Sequence, residues 1–336
     1  MDDLKDKAMT KQQDETTAES SAKLDDINRK TGRNMPQAVA TAAFLIVLIV
    51  ASLLVRVDLF IWLIVVFVLL ALRELHVSFA TVHLYIPLVA FWLCSASTLL
   101  ATYYLPDHVL VAGVGIAVSM LAVAISSNMR HVVGRRLKVA IEDKRNAAQS
   151  TDTSSDNKLA SNSKTSESSL NNVAVSMFLV VYILVLASCI VLSETFNGHP
   201  VAHAIMLIFL PALSDTGGLF AGAFLGKHKL SPRISPKKSV EGLCGSILFA
   251  MIGAYAVFAV TYSHLWSRYW WVPILTGVMV GIIGTFGDLS ASMLKRDMGL
   301  KDMGHLLKGH GGVIDRVDSI LLCAPFFMLL FMLTGM

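Results

Sequence analysis

The chain has 336 residues, of which 54% are apolar and only 15% charged, with a formal net charge of +4. Soluble domains carry about 25% charged residues, so this composition excludes an ordinary soluble enzyme and a disordered chain. It points to a polytopic membrane protein, and so few charges also exclude a nucleic-acid footprint.

Residues 1–36 are polar and have no apolar run close behind Met1, so they read as a disordered cytoplasmic tail and not as a signal peptide. The basic cluster Arg29, Lys30 and Arg33 stands directly before the first apolar run and places the N-terminus in the cytoplasm. Apolar runs long enough to cross about 30 Å of hydrocarbon follow at roughly 37–55, 58–73, 84–102, 108–127, 173–192, 201–225, 243–262, 270–288 and 319–336. They predict an all-α protein of about nine transmembrane helices.

Basic residues crowd alternate connections. Arg130, Arg135, Arg136, Lys138, Lys144 and Arg145 follow the fourth run. Lys227, Lys229, Arg233, Lys237 and Lys238 follow the sixth, and Lys295, Arg296, Lys301, Lys308 and Arg316 the eighth. The intervening connections are nearly free of positive charge, so the three basic segments face the cytoplasm and the C-terminus lies outside. Between the fourth and fifth runs, Ser, Thr and Asn supply 14 of the 25 residues 146–170, which predicts a disordered cytoplasmic insertion. The insertion divides N-terminal transmembrane helices, 37–145, from a catalytic transmembrane region, 171–336. Cys94, Cys189, Cys244 and Cys323 lie apart inside apolar runs and read as small buried hydrophobes.

The first half has few polar groups inside its spans besides Arg73, Glu74 and His76 near one span end. Chemistry therefore belongs to residues 200–320. Asp215 interrupts an apolar stretch and is flanked by Pro211, Gly217 and Gly218, residues able to break the helix and open backbone groups to a cavity. The segment 234–242 carries Lys237, Lys238 and Ser239 at a loop-to-helix junction, donors that suit a triphosphate. The third cluster runs from Asp288 to Asp318. Asp315 and Asp318 share a helix face, and with Asp288 they would hold Mg²⁺, which takes one or two carboxylates plus substrate phosphates. Lys295 and Arg296 would neutralise phosphate charge, and the turn His310-Gly311-Gly312 leaves amides able to approach an anion. Arg316 joins this substrate-binding set.

The run S-M-L-K-R-D-M-G-L-K-D-M-G-H-L-L-K-G-H-G-G-V-I-D-R-V-D, residues 292–318, closely resembles the signature of bacterial phosphatidate cytidylyltransferases, the CDP-diacylglycerol synthases. The segments 215–218 and 235–242 resemble two further motifs of that family in the same order. The likeness is strong over 201–336 and only general before that. Ala291 stands where the family usually has Glu, and Lys308 where it usually has Pro. The resemblance implies a multi-pass plasma-membrane enzyme that joins CTP to phosphatidate among membrane lipids, giving CDP-diacylglycerol and pyrophosphate in phospholipid biosynthesis. It also implies Mg²⁺, paired with a monovalent cation such as K⁺, at Asp288 and Asp315, with Asp215, Ser292, Lys295 and Asp318 around them. A homodimer is left open. His310 is assigned a loop-shaping or phosphate-contacting role ahead of a catalytic base. Two rival readings remain. A CTP-dependent kinase of polyprenol-type lipids would use the same nucleotide and metal. A transporter would also place Asp215 at membrane depth, but would not need the dense charged loop.

Overall fold

The computed structural model describes residues 35–148, 170–196, 198–231, 234–300, 303–304 and 311–336. The expected tail and most of the expected insertion lie outside the described residues.

Nine apolar helices account for the described residues almost entirely: α1 Met35–Val55, α2 Val57–Thr81, α3 Leu88–Tyr104, α4 His108–Ala148, α5 Leu170–Ser193, α6 Pro200–Leu225, α7 Val240–Thr261, α8 Val272–Asp297 and α9 Ile314–Thr334. Seven contain stretches long and apolar enough to cross a membrane, and the apolar parts of α1 and α3, Ala40–Val55 and Leu88–Tyr104, are shorter. The protein is all-α and multi-pass, as its apolar runs predict.

Three local features differ from the sequence reading. The basic segment 128–145 is not a loop: helix α4 continues through it to Ala148. Its Lys, Arg, Ala and Glu residues are good helix formers, so leaving the apolar stretch does not end the helix. Asp215 does not sit at a helix break. Helix α6 runs unbroken with Pro211 inside it, because prolines are tolerated in transmembrane helices where neighbours satisfy the freed carbonyls. The connection after α6 is a small antiparallel hairpin, β1 Lys229–Ser231 with β2 Ser235–Ser239, pairing Lys229 with Ser239 and Ser231 with Ser235 around an irregularity.

Helix α5, whose middle turns Val180–Val185 are π-helical, is central: 67% of its most apolar stretch is buried, against 17% for that of α4. Helices α6 to α9 pack in chain order around the functional end. Small residues set their spacing. A Cβ on Gly217 would come within 2.6 Å of the Gly245 carbonyl oxygen, and one on Gly281 within 2.8 Å of the Ile247 backbone nitrogen. Backbone-to-backbone approach of this kind replaces the hydrophobic drive that lipid cannot supply between helices.

Candidate active site

Ser239 caps α7: its hydroxyl accepts the Gly242 N–H at 3.0 Å, as its type favours. Two residues on, Glu241 folds back to accept the N–H groups of Lys227 and His228 at 3.1 and 3.2 Å and to meet His228 Nδ1 at 2.7 Å. These contacts fasten the hairpin to the start of α7 and aim its last residues inward. Lys238 then reaches α8, where its ammonium lies 2.8 Å from Asp288 Oδ2 and donates to the Thr285 carbonyl at 3.0 Å.

At the start of α9, Asp315 Oδ1 accepts from Lys295 Nζ of α8 at 2.7 Å. Asp315 Oδ2 accepts the backbone N–H groups of Met303 and Gly312, each at 3.1 Å. One turn further, Asp318 is buried; its Oδ1 accepts the Ser319 N–H at 2.7 Å, while its Oδ2 finds no hydrogen-bond partner among the described residues. Gly287 lets α8 approach this turn, since a Cβ there would stand 3.0 Å from the Asp318 carbonyl oxygen.

Between these elements lies a cavity of about 570 Å³. Asp215 of α6, Asp288 of α8, and Asp315 and Asp318 of α9 line it, together with Lys238, Ser239 and Arg316. Seven residues chosen from the sequence thus converge from three helices and the hairpin. Others stand back from the wall. Lys295 acts through Asp315, and Ser292 is half-buried one turn along α8 from Asp288. Arg296 is exposed in the last turn of α8, and Gly312 contributes its amide to Asp315 beside Gly311. His310, Lys301 and Lys308 lie outside the described residues, as does the side chain of Lys237.

Two residues without a role in the sequence reading matter here. Glu74 and Ser78 of α2 bond to Ile314 and Met303 of the signature segment. The signal for Glu74 was an acidic residue in an apolar run, which is expensive unless it does something. Ser78 gave none.

Four carboxylates face one cavity, Asp288 paired with Lys238 and Asp315 with Lys295, while one oxygen of Asp318 is buried with no donor among the described residues; such groups are hard oxygen ligands of the kind a divalent cation takes. Among the described residues no three His, Cys, Asp or Glu side chains close a metal cage by themselves.

A multi-pass membrane protein with a cavity lined by carboxylates and a lysine is the class this geometry defines. Residues 36–334 match the Cytidylyltransferase family, and the chain belongs to it. A Mycobacterium bovis protein named phosphatidate cytidylyltransferase is 38% identical over 155 residues, 45% of this chain and 48% of that protein. Proteins of the same name from Staphylococcus haemolyticus and Synechocystis sp. are 36% identical over 132 residues and 43% over 117. The first match covers 39% of this chain and 48% of its relative, the second 33% and 37%. The chain therefore spans about half or less of the length of these curated relatives.

Proposed function

We propose that the chain is a phosphatidate cytidylyltransferase of the plasma membrane, using CTP and phosphatidate. The observation that carries this reading is the cavity itself: acidic side chains from α6, α8 and α9 opposite Lys238 and Arg316, at the helix ends where a soluble nucleotide and a membrane lipid can meet. The basic stretch within the last part of α4 and the basic segments after α6 and at the end of α8 favour the cytoplasm for that end.

A phosphate oxygen of phosphatidate attacks the α-phosphorus of CTP. The new P–O bond forms as the bond to the β-phosphate breaks, and pyrophosphate leaves. The nucleophile is already an anion, so no strong base is required, and no Ser or His is assigned as nucleophile. The obstacle is repulsion between two highly negative partners. Lys238 and Arg316 attract and orient phosphate. Ser239 offers a hydroxyl beside the α7 N-terminus, where anions are favoured. Lys295 fixes Asp315 and, with Arg296 and Lys237, adds positive potential. Asp288 and Asp315 would hold Mg²⁺, with a monovalent cation such as K⁺ beside it and Asp215 and Asp318 completing the acidic wall. The metal, when bound, supplies charge neutralisation on the reacting phosphates.

The test is product analysis with CTP labelled in the α or the γ position and phosphatidate as acceptor. Label from the α position in the lipid product is expected. Label from the γ position in lipid would replace this reading with that of a kinase.

A further inference from the structure

We propose that Glu74 and Ser78, on helix α2 of the first half and more than 220 residues from their partners in the signature, are positioning residues for the site, a role that rests on the reading of the cavity as catalytic. Glu74 is buried near the end of α2, with 6% of its surface exposed, and does not line the cavity. Its Oε2 accepts the Ile314 N–H at 3.0 Å. Ile314 opens α9, and Val313 before it provides no side-chain cap. The free N–H groups of a helix start need acceptors, and here one comes from a residue 240 positions earlier.

The segment is shaped around that carboxyl group. A Cβ on Gly312 would lie 2.6 Å from Glu74 Oε2 and 2.8 Å from its Cδ, and a Cβ on Gly304 would overlap the same group. Neither glycine has a positive φ, so what each provides is space. One turn along α2, Ser78 donates to the Met303 carbonyl at 2.5 Å. The N–H of the same Met303 donates to Asp315 Oδ2 at 3.1 Å. Met303 is thus gripped from both sides, by α2 through its carbonyl and by α9 through its amide. The chain of contacts continues from Asp315 to Lys295 of α8. Helix α2 therefore sets where a cavity carboxylate and its lysine partner stand.

The test compares Glu74→Ala, Glu74→Gln, Gly304→Ala and the double Glu74→Ala/Gly304→Ala in the full chain, purified in detergent with CTP and phosphatidate. Misplacing a reacting group by about 1 Å costs on the order of 10²-fold. Glu74→Ala and Gly304→Ala should each lower kcat by roughly 10- to 100-fold while moving the KM for CTP by no more than about threefold. Glu74→Gln keeps an acceptor oxygen and the volume, and should recover kcat to within about threefold of wild type. The double variant should be no worse than Glu74→Ala alone, because the space that the new methyl needs has been vacated. Amide hydrogen exchange at Met303 and Gly312 should quicken in Glu74→Ala and not in Glu74→Gln. Multiplicative losses in the double variant, or a Glu74→Gln as slow as Glu74→Ala, would overturn the assignment. So would unchanged exchange at both amides. Exchange needs no turnover, so a wild type without transfer activity would count against the functional reading while exchange still decides the positioning role.

Discussion

The Lys295–Asp315 pair offers a quantitative test of how the site is held. Its atoms are 2.7 Å apart, and the two side chains are only 13% and 6% exposed. Removing one partner of a buried pair leaves a desolvated charge and costs about 3–5 kcal/mol. Lys295→Met does only that, since Asp315 keeps both of its amide donors. Asp315→Ala also strips the Met303 and Gly312 amides of their acceptor, adding roughly 1–3 kcal/mol for each amide that stays buried. The double variant Lys295→Met/Asp315→Ala removes both charges together, so it should cost less than the sum of the two single changes. The assay is the free energy of unfolding by SDS titration in mixed micelles, read as a double-mutant cycle. Lys295→Met costing under about 1 kcal/mol, or a double variant equal to the sum of its singles, would refute the argument and reduce the pair to a solvated contact.

Other consequences are directly measurable. Asp288→Asn and Asp315→Asn should each lower turnover at saturating Mg²⁺ by at least about 100-fold with membrane insertion intact; activity within a few-fold of wild type would remove these residues from the metal assignment. Lys238→Ala frees Asp288 of its ammonium and should raise the KM for CTP more than that for phosphatidate, checked by varying one substrate at a time; a rise for phosphatidate alone would reverse the assignment of the hairpin. Gly245→Leu places atoms against Ala221 and the Gly217 carbonyl and should deplete folded protein in the membrane, measured by size-exclusion of the solubilised chain; a normal yield and elution would mean that α6 and α7 can part freely.

Much of the architecture was legible because lipid imposes a simple rule: each apolar run of sufficient length became a helix. Their ends were less legible. The second run was read to stop at residue 73, where charge begins, but α2 continues to Thr81, with Glu74, Leu75, Ser78 and Phe79 burying one face of its last turns against the protein. That extension carries Glu74 and Ser78 to the signature segment, and no local pattern announces a partner more than 220 residues away. The acidic residues of the site were legible since a carboxylate is conspicuous among Leu and Val. What each carboxylate touches was not. Asp288 and Asp315 look alike in sequence, yet one faces an ammonium from a hairpin and the other anchors two backbone amides. The hairpin escaped because its strands are three and five residues long and lack an alternating apolar pattern.

The glycine contacts between α6 and α7, and between α7 and α8, have a bearing on rate. Side chains that interlock can slip past one another by exchanging rotamers, whereas touching backbones have nothing to rearrange. The walls bearing Asp215, Ser239 and Asp288 are consequently a stiff frame, settled when the helices assemble. On the proposed reading, charge developing between two phosphates would then meet dipoles and ions that already point the right way, with little reorganisation left for the moment of reaction.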